Sequence, residues 1–164
     1  MSEWKRILLA EDSANDVELT LAALAEYKLV NEVVVARDGA EALDYLQRQG
    51  KFEGRPRGNP AVVLLDLKMP KVDGLDVLRW LRTDERLRTT PVVVLTSSRE
   101  ERDIVESYQL GANAYVVKPV DFKEFIEAVK SLGLFWAVFN EPPPGSVRRS
   151  EGEMARRQRD ALVK

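Results

Sequence analysis

The sequence predicts a doubly wound α/β fold, in which one central parallel sheet of five strands carries helices on both faces. Three observations lead there. Short β-branched runs alternate five times with stretches of helical spacing. The runs are continuously apolar, as strands covered on both faces are. Residues capable of chemistry gather immediately after them, at the carboxyl ends, where folds of this class collect their ligands.

The elements follow in order. The first run, RILLA (6–10), leads into a helical stretch with Val17, Leu21, Leu24 and Tyr27 on one stripe. VVVA (33–36) precedes Ala42, Leu43 and Leu46, and AVVLL (61–65) precedes Val77, Leu78 and Leu81. PVVVL (91–95) is followed by Ile104, Val105 and Tyr108, and AYVV (114–117) by a last helix. Right-handed crossovers between successive runs place them in one parallel sheet. Between the second helix and the third strand, KFEGRPRGNP (51–60) is rich in glycine and proline and predicts a loop at the amino end of that strand.

Composition narrows the chemistry. Within 164 residues there are 25 basic and 27 acidic side chains, a formal charge of −2, so no overall field marks a nucleic-acid binder. There is no cysteine, which excludes disulfides and thiolate chemistry and suits a cytoplasmic setting. There is no histidine either, which removes His metal sites, Ser-His-Asp machinery and imidazole acid–base catalysis. No apolar run approaches the roughly 18–20 residues that span a bilayer, and MSEWKRILLA does not read as a signal peptide, so no membrane association is expected.

Carboxylates, hydroxyls and lysine remain, and they stand at the strand ends. The first strand ends in Glu11-Asp12, the third in Asp66, the fourth in Thr96-Ser97-Ser98 and the fifth in Lys118-Pro119. Singly, each reads as an N-cap or a solvated loop residue. Placed together at successive ends of a parallel sheet, they read as one site. Carboxylates this close repel one another unless a hard cation takes oxygen ligands from them, and Mg²⁺ is the natural occupant.

The motifs ILLAEDS (7–13), VVLLDLKMPKVDG (62–74), VVVLTSS (92–98) and GANAYVVKPVD (111–121) together resemble the receiver domain of two-component response regulators, over residues 5 to 130. The resemblance implies a flavodoxin-like (βα)5 fold with strand order 2-1-3-4-5. It implies that Asp66 accepts a phosphoryl group from the phosphohistidine of a partner kinase. Glu11 and Asp12 match the acidic pair for Mg²⁺, with Mn²⁺ as a substitute, Asp66 is shared with it, and the backbone carbonyl of Lys68 matches a further ligand. Glu11, where Asp is commoner, reaches the metal directly or through water. Thr96 and Lys118 match the phosphoryl-contacting hydroxyl and lysine, Tyr115 the switch aromatic, and Lys118-Pro119 a candidate cis peptide.

These roles imply a phosphoacceptor with self-catalysed transfer and autodephosphorylation, not a conventional enzyme. Transfer needs positioning and charge neutralisation more than covalent help. With no histidine in the chain, the donor histidine belongs to another protein or domain. Phosphorylation would draw Thr96 inward, let Tyr115 follow, and shift a two-state equilibrium. Three alternatives compete with this reading. A haloacid-dehalogenase-type phosphatase wants an acid where Lys68 stands. A nucleotide-binding module wants a phosphate loop where EDSAND stands. A phosphorylation-independent scaffold or dimerisation module would keep the fold without using Asp66.

The domain is expected to span 1–140, with 141–164 a proline-rich turn and a basic flexible tail carrying Arg148, Arg149, Arg156, Arg157 and Arg159. About 25 residues beyond Phe139 are too few for a DNA-binding domain, so output by protein contact is expected. The insertion at 51–60 and the NEPPP ending resemble the small single-domain regulators paired with bacterial phytochrome kinases, which suggests a light-sensing kinase as partner.

The last helix opens on a capping box, Asp121 with Glu124. Phe122, Phe125, Ile126, Val129 and Trp136 fall on a core-facing stripe. Leu134, Phe135, Val138 and Phe139 fall on the other side, a contiguous patch that predicts a homodimer interface. Burying that patch from two copies yields at most about 12–24 kcal/mol, against an association cost of about 4–15 kcal/mol.

Overall fold

The computed structural model describes residues 6–29 and 33–146. Five parallel strands form one sheet in the order β2-β1-β3-β4-β5: β1 is Ile7–Ala10, β2 Val33–Ala36, β3 Val62–Leu65, β4 Val92–Thr96 and β5 Ala114–Val117. Helices α1 (Ala14–Ala25), α2 (Gly39–Gln47), α3 (Gly74–Thr83), α4 (Glu101–Gln109) and α5 (Phe122–Gly133) fill the crossovers and the end of the chain. This is the architecture and strand order expected from the sequence.

Alternation along the strands divides the core in two. On one face Leu8, Ala10, Val63, Leu65, Val92 and Val94 pack with Leu46, Val77, Leu78 and Leu81 of α2 and α3. On the other, Ile7, Leu9, Val62, Leu64, Val93 and Leu95 pack with Val17 and Leu24 of α1 and Phe125 and Val129 of α5. β1, β3 and β4 are buried throughout, which explains their unbroken apolar sequences. Side-chain caps set the helix starts: Ser13, Asp38, Asp73 and Asp121 each accept from the backbone N–H three residues on.

Three helices depart from the expected faces. In α4 the buried positions are Asp103 and Ser107, whereas Val105 and Tyr108 are 46% and 51% exposed. The polar stripe faces inward there because Asp103 has a partner, accepting from the Ser98 hydroxyl at 2.6 Å. In α1, Tyr27 lies beyond the helix end and is exposed. Phe122, at the first position of α5, precedes the turn that reaches the sheet and is 58% exposed.

After Gly133 the helix widens into a π-helical stretch, Leu134–Phe139, with the Asn140 N–H donating to the Phe135 carbonyl at 2.6 Å. The widening shifts the register, so Ala137 rather than Trp136 becomes the fully buried residue. The chain then turns, buries Pro142 and runs back to the amino ends of the strands, where the Asn59 N–H donates to the Gly145 carbonyl at 2.9 Å. The expected basic tail from residue 147 onward lies outside the described residues.

The 51–60 insertion has internal order. A single 3-10 turn spans Gly50–Phe52. Arg55 then lies over the Tyr45 ring at 4.1 Å and donates to the carbonyls of Tyr45, Pro56 and Gly58 at 2.7, 2.7 and 3.0 Å. One guanidinium therefore satisfies carbonyls that a glycine-rich loop would leave to water.

Candidate functional site

The parallel register brings the carboxyl ends of four strands level: Ala10 pairs with Leu65, Leu65 with Val94, and Thr96 with Val117. The ladder continues one residue further. Glu11 N–H donates to Ala36 O at 2.9 Å, Asp66 N–H to Ala10 O at 3.0 Å, and Lys118 N–H to Thr96 O at 2.7 Å. The residues that carry the chemistry are thus fixed by the backbone at the point where each strand gives way to a loop.

Glu11, Asp12 and Asp66 each present a carboxylate oxygen, and these oxygens lie within 4.8 Å of one another. Glu11 and Asp66 are buried, while Asp12 is exposed. Two like charges at such a separation cost about 4 kcal/mol at an effective dielectric of 20. One compensating charge is Lys118, with its side chain 9% exposed. Its Nζ donates to Glu11 Oε1, to Asp16 Oδ2 at 2.8 Å and to Asp66 Oδ2 at 3.2 Å. Three N–H bonds thus meet three carboxylates, which uses every donor of the ammonium.

The electrostatics follow from this crowding. Burial pushes the Glu11 carboxyl up to about 7, against the hydrogen bond from Lys118, and the negative charge of Asp66 adds to the rise. For Lys118, burial alone would lower the pKa; hydrogen bonds to Asp16 and Glu11 and the charge of Asp66 outweigh it and raise the pKa. The second oxygen of Asp66, Oδ1, is buried and has no hydrogen-bond partner among the described residues. An orphaned buried carboxylate oxygen beside two further carboxylates is a donor set suited to a hard divalent cation, and these residues fit one.

The other expected site residues occupy the rim. Thr96 is fully buried, and its hydroxyl accepts from the Ser98 N–H at 3.4 Å. Tyr115 is half-buried, and its hydroxyl donates to the Ser98 carbonyl at 3.0 Å. Lys68 follows Asp66 by two residues, but its side chain turns away from the acids toward Asp103, at 3.7 Å. The Lys118-Pro119 bond is trans, as are all described peptide bonds, which corrects the expectation of a cis peptide. The trans form is intrinsically favoured even before proline, and Lys118 makes all its contacts in that form.

Two participants, Asp16 and Asp103, go beyond the residues expected from the sequence. Asp16 reaches Lys118 from the first turn of α1. Ser98 and Asp103 link the loop after β4 to α4. The only sequence signal for Asp16 was the spacing Ser13-x-x-Asp16, which reads as an ordinary helix start.

Of the expected interface residues, Phe135, Val138 and Phe139 are 51%, 36% and 69% exposed, whereas Leu134 is half-buried. They stand beyond the far end of α5, which leaves the sheet edge carrying the acids and runs toward the opposite pole.

Comparison with known proteins adds an independent line. Response regulator Rcp1 of Synechocystis sp. is 40% identical over 132 residues, 80% of this chain and 88% of its own. The Mn(2+)-bound form of response regulator Rcp1 superimposes with a TM-score of 0.79 at 39% identity, over 85% of this chain and 99% of that one. The phosphorylated cyanobacterial phytochrome response regulator RcpA gives the same TM-score, identity and coverage. The bacteriophytochrome response regulator RtBRR is 59% identical with a TM-score of 0.68, over 98% of this chain and 93% of that one. The family described as the response regulator receiver domain matches residues 7–130, which take in all five strands, the acid cluster and Lys118. The chain belongs to that family.

Proposed function

We propose that Asp66 is the acceptor of a phosphoryl group delivered by the phosphohistidine of a partner histidine kinase, and that the chain signals through the resulting change in shape and contacts. One observation carries the reading: Asp66 stands at a strand end with one carboxylate oxygen held by Lys118 and the other buried and unpartnered, beside two further carboxylates. A carboxylate oxygen of Asp66 attacks phosphorus, the P–N bond to the donor imidazole breaks, and that nitrogen leaves with the bonding electrons. Asp66 keeps its place through its own backbone bond to Ala10, and Lys118 neutralises charge on the entering oxygens. Glu11, Asp12, Asp66 and the Lys68 carbonyl are the ligands we assign to Mg²⁺ or Mn²⁺, which when bound supplies charge neutralisation at the phosphoryl group. The manganese bound in Rcp1 and the phosphorylated state of RcpA support this reading.

Thr96 and Tyr115 are the residues we assign to the switch. Both are tethered to Ser98, the Thr96 hydroxyl through its N–H and the Tyr115 hydroxyl through its carbonyl. New phosphoryl oxygens offer the Thr96 hydroxyl a stronger acceptor than any it has here, and its departure alters the segment that also holds Tyr115.

The donor histidine lies outside these 164 residues, which contain none. The descriptions of RcpA and RtBRR favour a phytochrome-type kinase as donor. We assign the exposed Phe135, Val138 and Phe139 to contact with a second copy of the chain. No described helix is long and apolar enough to cross a membrane, and the cytoplasm is the proposed setting. Transfer of labelled phosphate from an autophosphorylated histidine kinase tests the reading: the parent protein takes up label and Asp66→Asn does not. Label on the Asn variant would overturn it, and a folded parent that takes label from no kinase or small-molecule donor would favour a scaffold.

A further inference from the structure

Glu11 and Asp66 must give up part of their hold on Lys118 whenever a metal or a phosphoryl group arrives. Glu11 is fully committed without them: Oε1 accepts from Lys118 and Oε2 accepts from the Ser13 N–H at 3.2 Å. That second bond has a consequence for Asp16. In a helix opening of the form Ser-x-x-acid, the acid ordinarily turns back to accept the N–H of the capping serine. Here Glu11 has taken that N–H, and the Asp16 carboxylate goes instead to Lys118 at 2.8 Å. Its place is secured otherwise, since the Ser13 hydroxyl accepts the Asp16 N–H at 3.2 Å and the Asp16 carbonyl accepts the Thr20 hydroxyl at 2.7 Å.

We propose that Asp16 is a positioning residue for Lys118, the partner that keeps the ammonium in place when Glu11 and Asp66 turn to the metal and the phosphoryl group. Asp16 lies outside the cluster of oxygens that fit the cation, so it has no competing ligand duty. With Asp16 retained, Lys118 is neutralised and stays aimed at Asp66 from the side of α1. Without it, Lys118 leans on the two carboxylates the metal needs, and metal and ammonium compete for the same oxygens.

The inference rests on the metal-assisted phosphoacceptor reading, and the test separates the two. Mg²⁺ and Mn²⁺ are titrated by calorimetry into the parent protein, Asp16→Asn, Asp16→Glu and Glu18→Gln, the last removing an exposed acid of the same helix. The expected result is a five- to tenfold weaker affinity for Asp16→Asn, about what one net hydrogen bond supplies, with partial recovery in Asp16→Glu and less than about twofold change in Glu18→Gln. The loss persists at about 1 M salt, where a through-space charge effect is screened to about 3 Å. The Lys118 ammonium, followed by its nitrogen-15 NMR signal, exchanges faster with water in metal-loaded Asp16→Asn than in the metal-loaded parent. Equal affinity in Asp16→Asn and parent, or a loss that vanishes in high salt, overturns the inference. A parent that binds neither metal overturns the underlying reading instead.

Discussion

Lys118 Nζ lies 3.2 Å from Asp66 Oδ2, and the two side chains come from the ends of β5 and β3, strands that do not touch but flank β4. The pair spans the sheet edge because β4 ends in the small, buried Thr96 between them. In the metal-free protein this ammonium compensates Glu11, Asp16 and Asp66 together. Lys118→Met therefore leaves buried carboxylates unpaired and is expected to cost about 3 kcal/mol of stability, measured by urea unfolding without metal. Added Mg²⁺ should return part of the loss, because it neutralises the same oxygens.

Glu11 gives the metal-free protein a pH dependence of definite sign. Its carboxyl is raised from an ordinary 4.5 to about 7, mainly by burial. The folded state therefore holds this proton more tightly than the unfolded one, and the associated stability is present below about 4.5 and lost as pH rises to about 7. Glu11→Gln removes the penalty. The variant is expected to be about 3 kcal/mol more stable than the parent at roughly pH 8 without metal, with the difference closing toward low pH. Thermal unfolding across that range checks it, and added Mg²⁺ should stabilise the parent more than the variant.

Gly74 holds Asp66 in place by having no side chain. A Cβ there would lie 2.2 Å from the Asp66 carbonyl oxygen and 2.7 Å from Leu67 Cα, both backbone atoms that move only with the strand end. Gly74→Ala is expected to cost about 1–3 kcal/mol and to slow phosphorylation by a small-molecule donor more than that loss explains. Rates measured where the variant remains fully folded separate the two effects.

Phe135 and Phe139 project from the π-helical end of the last helix with half or more of their surface in solvent. Phe135→Glu is expected to shift sedimentation of the protein toward the monomer while leaving its unfolding midpoint within about 0.5 kcal/mol of the parent. Unchanged association would remove this patch from the proposed interface.

Much of this was legible in the sequence because the signals were additive. Strands buried on both faces cannot hide their character, so five apolar runs and the residues after them located the sheet edge and the acids. Failures occurred where a polar side chain found a specific partner that the apolar pattern does not encode. Asp103 turns α4 inside out because Ser98 meets it, and Asp16 joins the site because Glu11 occupies its usual partner. The widening after Gly133 left Trp136 packed against the core but only half-buried, and gave the fully buried position to Ala137, since a period of 3.6 does not hold there. Arg55 ordered a loop whose glycines and prolines advertised none. Each miss is a specific contact or a change of register overriding the simple apolar pattern.

Asp66, and no neighbouring carboxylate, is the residue proposed to carry the phosphoryl group. Borohydride reduction of the phosphorylated protein converts an acyl phosphate to an alcohol at the modified residue, and peptide mass spectrometry locates it. Homoserine is expected at position 66, in Mg²⁺-dependent amount and absent when EDTA precedes the donor. Reduction at Glu11, Asp12 or Asp16 with Asp66 intact would contradict it.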